Sequence, residues 1–205
     1  MPKIRITLPG KNALPIIPTE LFDAAKSEIW FEIGFGKGEH LAEMARRHPA
    51  VGFIGCEYFI NGVAGLVGKI EEMGIENIRI YDDDARQLLE ALAPSTLDRI
   101  FLLHPDPWPK MKHVKRRFIN QKNLDELARV MIPGAILHVT SDHDAAVHWT
   151  LVQLLARNDF QWMAENSSHW KTPPRYWPVT RYQEKALKEG RKDSFLQFKF
   201  TGQKQ

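Results

Sequence analysis

Five short apolar runs, at residues 29–33, 51–56, 78–81, 99–103 and 135–140, alternate with segments of helical period. Runs that are apolar on both sides of the backbone are buried on both faces, and parallel neighbours require a helical crossover. The pattern therefore predicts an α/β chain: a mostly parallel sheet with helices on both faces. Helices are expected over residues 40–47, 60–73, 121–131 and 145–157. Leu41, Met44 and Ala45 share one face of the first, which His48-Pro49 ends. Gly74 terminates the second, and Pro133-Gly134 turns the chain from the third into the next strand. A last run, residues 195–200, alternates apolar and polar side chains and reads as a strand with one wetter face. Residues 167–178, rich in Pro, Ser, Trp and Arg, read as a loop long enough to suspect a function.

A chain of 205 residues, 43% of them hydrophobic, suits one globular domain spanning 1–205, with residues 1–25 as an N-terminal extension. Cys56, the single cysteine, lies in an apolar run and fits a buried thiol in a reducing compartment. The N-terminus alternates charged and aliphatic residues and has no signal-peptide core, and no apolar run reaches membrane-spanning length. A cytoplasmic protein, monomer or homodimer, is the expectation. Net charge is only +3, but the cations are clustered. Lys110, Lys112, Lys115, Arg116 and Arg117 form one group; Arg175, Arg181, Lys185, Lys188, Arg191 and Lys192 crowd the C-terminal fifth.

In open α/β sheets ligands bind outside the carboxyl ends of the strands, so the residues just after each apolar run carry the chemistry. The fourth run leads into Leu103-His104-Pro105-Asp106-Pro107-Trp108-Pro109-Lys110. Each proline fixes its own φ and disfavours the helical region for the residue before it. His104, Asp106 and Trp108 are therefore expected to be extended, with the Asp106 carboxylate presented on a stiff platform.

The first run leads into Glu32-Ile33-Gly34-Phe35-Gly36-Lys37-Gly38, a glycine loop opening a helix. A dinucleotide fingerprint needs its third glycine at position 39, which is Glu39; here it comes one residue early, at Gly38. Glu32 and Glu39 flank the loop and disfavour a pyrophosphate further. Glu57, at the end of the second run, stands where an acid takes ribose hydroxyls. Asp84 and the amide of Ala85, after the third run, can accept from and donate to a base. Glycine loop, ribose acid and base acid in this order point to an adenosine cofactor without pyrophosphate, S-adenosylmethionine.

These residues, with Thr140-Ser141-Asp142 and Thr180-Arg181-Tyr182, resemble the bacterial tRNA (guanine-N7)-methyltransferases of the TrmB type from about Trp30 to the C-terminus. The resemblance implies a class I (Rossmann-like) methyltransferase fold, a seven-stranded sheet whose last strand is antiparallel, and methylation of guanine-46 in the tRNA variable loop. It implies that Glu32, Glu57, Asp84 and Asp106 bind the cofactor, with Asp106 also catalytic, and that Lys110 and Asp142 contact substrate. The family's C-terminal substrate motif reads Thr, any residue, aromatic, Glu. Here Thr180 and Arg181 are followed after Tyr182 by Gln183 in the acid's place and then Glu184, and either could fill the role.

Guanine N7 carries a lone pair and no proton, so the attack needs no general base, while the product base becomes cationic. Asp106 would favour that charge and hold the base, and the basic groups would contact tRNA phosphates. Trp108, Trp170, Tyr176 and Trp177 are candidates to stack on an exposed base. His104, His138, His143 and His148 with Asp142 and Asp144 lack a metal-ligand spacing, and the run Asp82-Asp83-Asp84 is read more simply as one cofactor acid with two solvated neighbours than as an ion site, so no metal is expected. The competing readings are a methyltransferase acting on an exocyclic amine, disfavoured by Pro-Trp after Asp106, a non-catalytic RNA-binding relative, and a nicotinamide oxidoreductase.

Overall fold

The computed structural model describes residues 4–10, 13–175 and 177–202. In chain order the elements are β1 (Glu28–Ile33), α1 (Glu39–Arg47), β2 (Val51–Cys56), α2 (Ile60–Met73), β3 (Ile78–Tyr81), α3 (Ala85–Ala91) and β4 (Leu97–Leu103). There follow α4 (Gln121–Val130), β5 (Met131–Ser141), α5 (Asp144–Leu155), β6 (Phe160–Trp162), α6 (Ser168–Lys171), α7 (Arg181–Lys188) and β7 (Ser194–Phe200). One seven-stranded sheet has the order β3-β2-β1-β4-β5-β7-β6. β7 runs antiparallel to both its neighbours, and the remaining pairs are parallel.

Alternation along the strands explains the two layers. Ile29, Phe31 and Ile33 of β1, with Ile100 and Leu102 of β4 and Leu137 and Val139 of β5, pack against α3, α4 and α5. Trp30 of β1, Phe53 of β2 and Phe101 of β4 point the other way, toward α1, α2 and Trp177. Phe31, Phe53, Phe101 and Phe198 are among the largest fully buried side chains, each stabilising the fold by roughly 1.5–3 kcal/mol through burial. On the α1 face the pattern breaks toward the strand ends: Glu32, His138 and Thr140 stand where apolar residues would continue it, and all are buried. That polar seam underlies the site.

Residues 4–6 lie along the sheet's edge, and Ile16 pairs beside Leu92 after α3. Ile6 N–H donates to the Ile80 carbonyl and Ile80 N–H to the Ile4 carbonyl, both at 2.7 Å, so the outer strand β3 does not expose a bare edge. Arg5 pairs with Asp82 at 2.9 Å.

Some short elements have no counterpart in the apolar periodicity. α3 is seven residues and begins at an aspartate cap, β6 is three residues, and the segment 167–178, expected as a loop, contains the single turn α6. α7 forms where a run of cations hides the pattern. The third helix ends at Val130 instead of 131, because Met131 already pairs with Leu97 in β5, and the Pro133-Gly134 turn lies inside that strand, beside a register shift between Leu97 and Arg99.

Asn77, just before β3, is buried, and its amide reaches the carbonyls of Ala45, His48 and Val51 at 2.9–3.1 Å, tying the end of α1 to the start of β2. Asn77→Ala removes the amide that these carbonyls share and is expected to cost about 1–3 kcal/mol, measured as a lower midpoint in urea unfolding at unchanged slope.

Candidate active site

The glycine loop after β1 is positioned by a carboxylate on the next strand. Gly34, Gly36 and Gly38 all adopt positive φ, at 72°, 56° and 71°. Glu57 Oε2 accepts from Gly36 N–H at 2.8 Å and Oε1 from Phe59 N–H at 2.9 Å, bridging the loop to the entrance of α2. A carboxylate has about four lone-pair sites, so Glu57 keeps acceptor capacity toward the cleft it lines. The three glycines serve different needs. A Cβ at 34 or 36 would meet nothing within 4 Å, so backbone conformation requires glycine there and the space above is open. A Cβ at 38 would lie 2.6 Å from Leu66 of α2, so that position is also fixed by packing.

Glu32 is buried, and its Oε2 lies 2.6 Å from His40 Nδ1 of α1. Trp177 packs beyond His40 with ring centroids 4.7 Å apart and the planes tilted by 45°. Asp84 caps α3, accepting from Arg86 N–H at 3.0 Å, and takes the Arg86 guanidinium as well. The Arg86 hydrogen bond holds the Asp84 carboxyl below the usual range against the opposing effect of burial. Cys56 donates to the Asp83 carbonyl at 3.0 Å; burial and the acids around it push its thiol up, so it stays protonated.

The proline platform departs from expectation. His104 and Trp108 are not extended but have φ of 48° and 38°, in the left-handed region. Tertiary hydrogen bonds override the local preference. His104 N–H donates to the Thr140 carbonyl at 3.0 Å, with Thr140 Oγ1 at 3.2 Å. The buried Arg117 donates through Nε to the Pro107 carbonyl and through Nη2 to the Trp108 carbonyl, each at 3.0 Å. Such backbone conformations cost of order 1–3 kcal/mol and persist only where the surroundings over-determine them. Asp106 projects exposed between these two fixed points. Arg117, expected among the phosphate contacts, is thus the platform's brace, and nothing in the cationic run distinguished it from its neighbours.

The cleft has two joined parts. One, of about 430 Å³, is lined by Glu32, Gly34, Gly36, His40, Thr140, Thr180, Arg181 and Gln183. The other, of about 510 Å³, is lined by Gly34, Glu57, Asp84, Ala85, Asp106 and Trp108. Gly34, Leu103 and His104 border both. Thr180 and Gln183 form a reciprocal capping box at the start of α7, and Arg181 N–H donates to Glu39 Oε2 at 2.7 Å, docking α7 over the glycine loop. Gln183 is buried at the cleft whereas Glu184 is exposed and lies outside its lining. Lys110 is likewise exposed outside it, and Asp142 sits behind His104, paired with Arg191. Of the aromatic candidates Trp108 lines the cleft with Arg116 over its ring, Trp177 is largely buried and borders the Glu32 part of the cleft, Trp170 packs against the opposite core, and Tyr176 lies outside the described residues. His40 and Arg117 line the cleft, and Asp193 stands beside His104, without having stood out in the sequence; only His40, two residues past the glycine loop in the first turn of α1, carried a local signal. Among the described residues no helix is long and apolar enough to cross a membrane, and no group of three His, Cys, Asp or Glu is placed to hold a metal ion.

Residues 26–196 match a family described as "Putative methyltransferase". The chain is 46% identical over 199 residues to a tRNA (guanine-N(7)-)-methyltransferase of Rhizobium meliloti, covering 97% of this chain and 85% of that one. It is 46% identical over 200 residues to the protein of the same name in Bartonella quintana, covering 97% and 85%. Among solved structures, an rRNA methylase from Streptococcus thermophilus superposes with a TM-score of 0.58 at 12% identity, covering 90% of this chain and 92% of that one, a likeness of fold.

Replacing Arg117 by Ala removes two hydrogen bonds from a buried cation, each worth roughly 1.5–3 kcal/mol. Arg117→Ala is expected to lower the urea midpoint by several times the effect of Lys112→Ala on the exposed neighbouring surface, and equal effects would show that the brace contributes nothing.

Proposed function

The chain belongs to the tRNA (guanine-N7)-methyltransferases, and from that premise we propose that it transfers a methyl group from S-adenosylmethionine to N7 of guanine-46 in the tRNA variable loop, in the cytoplasm. The observation that carries the reading is the one cleft that gathers the glycine loop, Glu57, Asp84 and Asp106 at successive strand ends.

The residues present fit such a cofactor. The space over Gly34 and Gly36 is open, and His40 Nε2, buried at the Glu32 part of the cleft, has no hydrogen-bond partner among the described residues. Glu57 and Asp84 would hold the nucleoside end, with the Ala85 amide beside them, and Glu32 with Gly36 the amino-acid end. When bound, the cofactor supplies a methyl group made electrophilic by a sulfonium. Asp84 is occupied by Arg86, so Arg86 must swing aside, which its exposure permits.

The chain's own work is alignment and charge. Asp106 stands exposed on a backbone fixed at both ends, so its carboxylate can take the N–H groups of the acceptor base and hold N7 in line, replacing a bimolecular encounter by a bound geometry. As N7 becomes cationic the same carboxylate favours the developing charge. No proton has to be removed, which accounts for a platform that carries an acid and not a base-activating pair. Thr180, Arg181 and Gln183 border the acceptor approach, and Gln183 is the residue we assign to the family's acidic position. Lys110, Lys112, Lys115 and Arg116 on one side, and Arg175, Arg181, Lys185, Lys188 and Lys192 on the other, are exposed and would meet phosphates.

Transfer of a labelled methyl group to an unmodified tRNA transcript tests this. Asp106→Asn keeps the shape and loses the charge; a fall in kcat of about 100-fold or more is expected, and full activity would remove the electrostatic role. Combined replacement of Lys112, Lys115 and Arg116 by Ala should weaken tRNA binding and flatten its salt dependence by close to one unit of slope for each phosphate no longer neutralised. An unchanged slope would place the RNA elsewhere.

A further inference from the structure

We propose that Glu39 is a positioning residue that couples the two sides of the cleft: by holding the start of α7 against the end of the glycine loop, it makes the cofactor and tRNA raise each other's affinity. The inference rests on the function proposed above. Glu39 is the first residue of α1 and directly follows Gly38, the last glycine of the loop, at φ 71°. It stands where a dinucleotide fingerprint has its third glycine, and its side chain is spent on a helix 142 residues further along the chain.

Both carboxylate oxygens serve Arg181. Oε2 accepts from the Arg181 N–H at 2.7 Å, and Oε1 lies 3.3 Å from Arg181 Nε. That N–H is one of the amides a helix leaves unpaired at its start, and a carboxylate on it makes a charge-assisted bond. The Arg181 side chain is 81% exposed, so its ion pair contributes little and the main-chain bond carries the tie. α7 has need of it. Among the described side chains of α7 only Gln183 and Ala186 are buried, while Arg181, Lys185 and Lys188 are exposed. Undocking such a helix uncovers little, which supplies the second arrangement that a coupling between sites requires.

The docked arrangement serves both ligands. The Glu32 part of the cleft is built from Gly34, Gly36 and Glu39 on the side of the loop and α1, and from Thr180, Arg181 and Gln183 at the start of α7. An amino-acid end held at Glu32 and Gly36 therefore favours the state in which α7 completes that space. The same state sets the cations of α7 beside the acceptor approach, where phosphates would meet them. Two ligands that each favour one state raise each other's affinity by the same factor.

Binding of an unmodified tRNA transcript is measured by filter retention with and without saturating S-adenosylhomocysteine, which permits no transfer. The wild type should bind tRNA about 5-fold more tightly or better with it, and calorimetry should give the same ratio for S-adenosylhomocysteine with and without tRNA. Arg181→Ala removes the cation and keeps the N–H; it should weaken tRNA binding and keep the ratio. Arg181→Pro removes the N–H as well. Proline suits the first position of a helix, and Thr180, at φ −101° and ψ 156°, already has the extended backbone that a following proline favours. Arg181→Pro and Glu39→Ala should bring the ratio close to one, and Glu39→Gln, whose amide oxygen still accepts from Arg181, should retain part of it. If Glu39→Ala loses the fold through α1, Arg181→Pro, which leaves α1 untouched, still decides. A wild-type ratio of one, or a ratio that survives in Arg181→Pro, overturns the coupling alone. A wild type that binds no S-adenosylhomocysteine, or no tRNA, overturns it together with the proposed function.

Discussion

The site exists because the sheet changes direction of growth between β1 and β4. From β1 the chain winds outward to β2 and β3, then returns to place β4 on the other side of β1. The loops after β1 and β4 must diverge, which opens a crevice at the carboxyl ends of the two central strands. On the sheet side the cleft is set by how the strands end: a glycine loop after β1, Glu57 after β2, Asp84 after β3 and a proline run after β4, with Asp142 after β5 standing behind His104.

Each strand end is then made rigid by a different device. Glu57 clamps the glycine loop through two main-chain amides, Asp84 caps a helix, and Arg117 ties down the carbonyls of Pro107 and Trp108. The residues that hold the site are themselves polar, and they serve the backbone as much as any ligand. That dual use suits a chain of this size, because a carboxylate that positions a loop keeps lone pairs for a hydroxyl or a base.

Much of this was legible in the residues. The five main strands, the glycine loop, Glu57, Asp84 and Asp106 follow from apolar runs and from what stands at their ends. Other features were hidden for physical reasons. Three residues of β6 are too few for periodicity, and α7 is fixed by a capping box and by Glu39 more than by an apolar stripe. The positive φ at His104 and Trp108 arises from Thr140 and Arg117, partners that local preference cannot see. Arg117 and Lys112 look alike in sequence, and only folding separates a buried brace from an exposed cation. Asp193 meets His104 only because β7 returns beside β5.

The central claim is that this cleft methylates a purine nitrogen that bears no proton. Digestion of a tRNA transcript after incubation with the protein and S-adenosylmethionine, with the methylated nucleoside identified and located by mass spectrometry, tests it most directly. The account predicts N7-methylguanosine at position 46. A methyl group found on an exocyclic amine, or on no nucleoside at all, would contradict it.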